Sequence, residues 1–125
     1  MKKKRMANKN KNGSYIGTFI LDFQTINFES DSKIAIEILS HYQKICNFSN
    51  NCYTFTLDNP VSSAGWSFAK LFLSGQFVEK LCEINSDEIG GSRGKKFEDK
   101  FVSWLSAKLR NSNCEAQLKI AREMK

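Results

Sequence analysis

Residues 18–46, TFILDFQTINFESDSKIAIEILSHYQKIC, change their apolar period once, and the change marks a strand running into a helix. Thr18 to Phe23 is short, apolar and rich in aromatic and β-branched residues, as an interior strand requires. Phe19, Leu21 and Phe23 share one parity while Ile26 and Phe28 take the other, so the strand is expected to end near Gln24. Ser30 or Asp31 is expected to cap the helix that follows, by accepting from its free N–H groups. Beyond it Ile34, Ala35, Ile38, Leu39, Tyr42, Ile45 and Cys46 fall on one helical face, opposite Lys33, Glu37, Ser40, Gln43 and Lys44.

The rest of the chain continues the alternation of element types. Cys52–Leu57 reads as a second strand, with Tyr53, Phe55 and Leu57 on one face, stopped by Asp58-Asn59-Pro60. Ser62 or Ser63 can cap a helix in which Ala64, Phe68, Leu71 and Phe72 recur at helical spacing, ending at Ser74-Gly75. Residues 77–84, FVEKLCEI, suit a short helix or a strand equally. A polar loop, 85–94, leads to a clear helix over 95–110. Phe97, Phe101, Trp104 and Leu105 form its buried face, and acids in its first turn and bases in its last complement its dipole. Residues 114–125 read as a weakly amphipathic last helix. The order strand, helix, strand, helix, undecided element, helix, helix predicts an α/β sandwich with a small, partly parallel sheet. An α+β arrangement with a two- or three-stranded sheet is the alternative.

A chain of 125 residues, 41% hydrophobic and carrying 10 Phe, 3 Tyr and 2 Trp, has material for one packed core, expected over 14–125. Its charge lies unevenly. Lys2, Lys3, Lys4, Arg5, Lys9 and Lys11 are unopposed by any acid within the first twelve residues, and they equal the whole net charge of +6. Residues 1–13 are therefore expected to be a disordered basic tail. The segment 13–90 is acidic and the last third, 91–125, is basic again. No apolar run approaches the roughly 20 residues of a membrane span, and no apolar core follows MKKKR as a secretory signal would need. A cytoplasmic location without membrane contact is expected.

Sites of catalysis are hard to assemble from these residues. Cys46, Cys52, Cys82 and Cys114 form no C-x-x-C pair, and His41 is the lone histidine, so neither a zinc site nor a bound cofactor is expected. Asp22 on the first strand lacks the partner carboxylates of a metal-dependent nuclease. Gly90-Gly91-Ser92-Arg93-Gly94-Lys95-Lys96 is glycine-rich and basic but one residue short of the phosphate-binding spacing G-x-x-x-x-G-K-[ST], and Lys96 replaces the hydroxyl. The expectation is a protein that binds and does not catalyse.

Ile20-Leu21-Asp22-Phe23, Ile26-Asn27-Phe28, Ser30-Asp31-Ser32-Lys33 and the helix from Ile34 follow one another without a gap. Phe55 to Pro60, the segment 62–74, Gly75 and 77–84 come after them. In that order residues 18–84 resemble the STAS domain, the anti-sigma factor antagonist family. The resemblance implies a regulatory module that binds a protein partner through its first helix and the turn before it, here Ser30, Asp31, Ser32, Lys33 and Glu37. Asp31 stands where that family places a phosphorylatable serine. The alternative, read from charge, is a nucleic-acid-binding accessory protein using Lys2, Lys3, Lys4, Arg5, Arg93, Lys95 and Lys96. The oligomeric state and the partner's identity are open at this stage.

Overall fold

Alternation builds the first element as expected. In the computed structural model, which describes residues 17–49 and 52–121, β1 spans Phe19–Thr25. Phe19, Leu21, Phe23 and Thr25 point to one face, and Ile20, Asp22 and Gln24 to the other. The first helix, α1 (Phe28–Ile45), begins earlier than Ser30, with Asn27 at its N-cap position and no side-chain cap. Asp31 therefore lies inside the first turn, where its position relative to Ala35 and Leu39 turns it inward. Thr25 donates its hydroxyl to Asp31 Oδ2, and the backbone N–H of Glu115 donates to Asp31 Oδ1 at 3.2 Å. One carboxylate thus joins the end of β1, the start of α1 and the approach to the last strand. Along α1, Ala35, Leu39 and Cys46 are buried and Ile34, Ile38 and Tyr42 are half-buried, as the helical face predicts, but Ile45 is exposed.

The segment expected as a helix over 62–74 is instead a hairpin. After β2 (Phe55–Leu57), strand β3 (Val61–Ser63) turns through Ala64 and Gly65 into β4 (Trp66–Leu73). Both turn residues have positive φ, 52° and 85°, as a two-residue type I′ turn requires. The helical spacing of Phe68, Leu71 and Phe72 was coincidental. At period two, Ala69, Leu71 and Leu73 face inward while Trp66, Phe68, Lys70 and Phe72 face outward. β2 pairs with Leu71–Leu73 and β3 with Trp66–Phe68, on the same side of β4. Between them the Asp58 carboxylate substitutes for a strand, accepting from the Lys70 backbone N–H at 2.7 Å.

This hairpin also decides the sheet. β4 lies between β1 and β2, antiparallel to both, so the two strands that flank α1 run in the same direction without touching. The partly parallel sheet is thereby corrected: every ladder is antiparallel, in the order β2-β4-β1-β5 with β3 beside β4. The expected last helix is corrected too. Gln117–Ile120 forms β5, because alternation of Leu118 and Ile120 with Gln117 and Lys119 lets it close the free side of β1. The units β1-α1-β2 and β4-helices-β5 interleave, each holding a strand of the other between its own, which is the split βαβ arrangement.

All helices cover one face. Residues 77–84, undecided from sequence, lie in α2 (Gly75–Ile84), capped by Ser74, whose hydroxyl accepts from the Phe77 N–H at 3.1 Å. A short α3 (Ser86–Gly90) and α4 (Phe97–Asn111) complete the layer. Leu21, Phe23, Leu71 and Leu73 from the sheet meet Leu39, Phe77, Leu81, Phe101, Leu105 and Leu109 from the helices in one core. Phe101 is central, edge-on to Phe19 at 5.4 Å between ring centroids. Among the described residues no helix is long and apolar enough to cross a membrane. Phe101→Ala is expected to cost about 3–5 kcal/mol in chemical denaturation. Ile45→Ala, on the same helical stripe as Leu39 but 46% exposed, is expected to cost less than about 1 kcal/mol.

Candidate functional site

Among the described residues every helix lies on one side of the sheet and none covers the other face, whose rows follow from the strand register. Thr56, Phe72 and Ile20 form the first row, and Lys70, Asp22 and Lys119 the second. Val61, Phe68, Gln24 and Gln117 form the third, and Ser63 with Trp66 ends the sheet at the hairpin turn. Trp66 and Phe68 thus stand two residues or about 6.8 Å apart on β4, and Phe72 lies four residues beyond Phe68, across Lys70. Trp66 is 36% exposed and Phe68 39%, on a strand whose inward residues are buried. Val61, at 69% exposure, extends the apolar surface beside Phe68.

Polar groups surround this surface. The Lys70 ammonium pairs with Asp22, its cross-strand neighbour. A depression of about 500 Å³ has Phe68 in its wall together with Asp22, Gln24, Asn59 and Lys70. Both of its carboxylates are engaged, Asp22 by the Lys70 side chain and Asp58 by the Lys70 backbone. It offers a flat apolar wall beside amide and charged groups, which suits recognition of a planar, hydrogen-bonding ring better than acid–base chemistry.

The residues expected to carry function are distributed differently. Ser30, Lys33 and Glu37 are exposed on the outside of α1 and Ser32 is partly so, while Asp31 is only 2% exposed and committed to Thr25 and Glu115. A partner on that face would meet Ser30, Lys33, Ile36 and Glu37, with Asp31 behind them. Lys2, Lys3, Lys4 and Arg5 lie outside the described residues. Arg93, Lys95 and Lys96 are exposed on the turn between α3 and α4. Sequence reasoning missed Trp66, Phe68, Phe72 and Lys70 because it assigned them to a helix. The signal was Ala-Gly followed by the aromatic-rich run Trp-Ser-Phe-Ala-Lys-Leu-Phe-Leu, bounded by Ser74-Gly75.

Other ionisable groups serve the fold. His41 lies with Glu37, Tyr42 and Lys108 in a cleft of about 270 Å³ between α1 and α4. The Glu88 carboxylate accepts from Trp104 Nε1 at 2.9 Å and pairs with Lys108 at 3.0 Å, and these contacts, the indole first, hold its carboxyl below the usual value. Burial pushes the Cys82 and Cys114 thiols up to about 11, so both stay protonated at neutral pH. Among the described residues no group of His, Cys, Asp or Glu is arranged to hold a metal ion.

Asp31→Ala removes the acceptor of the Thr25 hydroxyl and of the Glu115 N–H. A loss of about 1–3 kcal/mol is expected in denaturation experiments, because buried donors are left unpaired. The depressed Glu88 carboxyl predicts a stabilisation present above its unfolded pKa and lost as pH falls through its folded value. Acid unfolding of Glu88→Gln is therefore expected to depend less on pH than that of the parent.

Comparison with family models, with curated proteins and with solved structures returns no match.

Proposed function

We propose that this protein binds single-stranded nucleic acid on the open face of its sheet. Bases stack on Trp66, Phe68 and Phe72, with the basic residues near the N-terminus contributing charge. The observation that carries the reading is the alternation of β4, which leaves Trp66 and Phe68 exposed and Phe72 half-buried on one face while Ala69, Leu71 and Leu73 are core on the other. Rings left partly in solvent can take a further partner, and every base presents a π-face to stack, at about 1–3 kcal/mol per base. An unpaired strand is favoured over a duplex because only unstacked bases can lie flat on such a platform.

The architecture adds support, though a fold by itself carries no function. RNA-recognition modules are four-stranded sheets that stack two or three bases on aromatics of their strand motifs. One of those motifs reads K/R-G-F/Y-G/A-F-V-x-F/Y. Gly65-Trp66-Ser67-Phe68-Ala69-Lys70-Leu71 resembles it in the glycine, the two outward aromatics and the small residue between them. It departs at Ala64, Trp66, Ser67, Ala69 and Leu71, where the motif has Lys or Arg, Phe or Tyr, Gly or Ala, Val, and Phe or Tyr. A cytoplasmic, non-enzymatic role belongs to the same reading, and four free thiols suit a reducing compartment. A protein partner on the outer face of α1 is the second reading, favoured by the exposure of Ile36 between Lys33 and Glu37.

Of the two tryptophans, Trp104 is 3% exposed, so quenching of intrinsic fluorescence by a ligand reports on Trp66. A single strand of about 8 nucleotides, within the usual site sizes, is expected to quench it at low salt. Trp66→Ala and Phe68→Ala are each expected to weaken binding by about 1–3 kcal/mol, while Asp31→Ala leaves it unchanged in the folded fraction. An oligonucleotide, RNA or DNA, that fails to bind at low salt refutes the reading. So does one that binds a Trp66→Ala, Phe68→Ala double variant as tightly as the parent.

A further inference from the structure

A second groove, of about 560 Å³, lies where β5 meets α4, and it shares Asp22 with the depression beside Phe68. Its lining includes Lys119 of β5, Arg93 of the turn before α4, and Ser103 of α4. Val102, Leu118 and Ile120 supply the apolar part of the lining. Arg93 and Lys119 are exposed, and neither forms an ion pair among the described residues. Two carboxylates are also present. Asp22 is already paired with Lys70, which leaves Asp99 against the two cations, with Lys95 and Lys96 exposed immediately after the turn.

The turn is held in place. Gly94 has φ of 124°, and a Cβ there would sit 2.5 Å from Cβ of Asp99, so the backbone presses on the first turn of α4 where only glycine fits. Arg93, in the lining of the groove, immediately precedes this packed glycine. Lys70, Asp22 and Lys119 form one row across β4, β1 and β5, so the row that begins beside the aromatics ends at this groove.

We infer that the groove carries the sugar–phosphate backbone of the same single strand as it leaves the aromatic face, with Arg93 and Lys119 each engaging a phosphodiester. The inference rests on the function proposed above. Arginine suits the role because its planar fork can meet two phosphate oxygens at once, and a lysine in the same lining adds a second point charge. On this account the basic turn that the sequence singled out belongs to the nucleic-acid site through the β5 edge, without contributing to the stacking surface. Nucleotides held in the groove are contacted through their phosphates, so this part of the site is indifferent to base sequence.

The test compares oligothymidylate strands of about 4 and about 12 nucleotides, near the extremes of usual site sizes. Both are titrated into the parent and into Arg93→Ala, Lys119→Ala and the double variant, over a range of salt concentrations. The short strand fills the aromatic face alone and is expected to bind all four proteins equally. The long strand is expected to bind the parent more tightly than the short one. Its salt slope is expected to fall by about 0.7 for each cation removed and about 1.4 in the double variant. An unchanged slope for the long strand in the double variant overturns the inference while leaving stacking intact. Equal weakening of both lengths also overturns it, because it puts the cations at the aromatic face. If neither strand quenches the parent's fluorescence, the proposed function itself fails and takes this extension with it.

Discussion

The ladder between β1 and β4 is the constraint on which the rest of the molecule depends. It runs from Phe19 opposite Leu73 to Thr25 opposite Ser67, and on both strands one face is packed in the core while the other is at least partly exposed. A slip of one residue would turn Leu71 and Leu73 to solvent and bring Lys70 and Phe72 into the core. Because that exchange is so costly, the burial of Leu21, Phe23, Leu71 and Leu73 also fixes the outward direction of Trp66, Phe68 and Phe72. The candidate site is in this sense a by-product of the core: the same register that buries one face presents the other.

The helical layer is tied to this ladder at one end by Asp31. Its carboxylate takes hydrogen bonds from Thr25 at the end of β1 and from the Glu115 N–H ahead of β5. The thiol of Cys114 adds a weak contact to the Asp31 carbonyl at 3.5 Å. A buried carboxylate needs such donors to offset its lost hydration. The arrangement explains why an acid occurs within the first turn of α1 and points away from solvent. It also gives β5, only four residues long, a fixed point of entry to the edge of the sheet.

The parts of the fold legible in the sequence were those with one period and enough length to show it. β1, α1 and α4 each repeat their apolar positions over several turns or pleats, and each lies within a few residues of its expected bounds. The hairpin was misread because Phe68, Leu71 and Phe72 satisfy a helical spacing while belonging to opposite faces of a strand. β5 was misread because a four-residue strand at an edge leaves too short a pattern to outweigh the polar residues around it. Both errors concern residues whose conformation is decided by distant partners: β4 by β1, nearly fifty positions away, and β5 by the same strand from the far end of the chain. The aromatic surface was lost with the hairpin, while the basic turn at Arg93–Lys96 was visible because charge is read without knowing conformation.

Asp58 fills the break between β2 and β3 by accepting from the Lys70 backbone N–H, and this has a bearing on crowding between molecules. A sheet with aromatics in solvent invites a neighbouring chain to add a strand along any long free edge. Here the outer side of β4 is covered by two three-residue strands with a bend at Asp58-Asn59-Pro60, and the opposite edge is the four-residue β5. Edges so short and interrupted give an incoming strand little to pair with. Among the described residues, the partly exposed aromatic face is thus bordered by edges too short to template strand after strand.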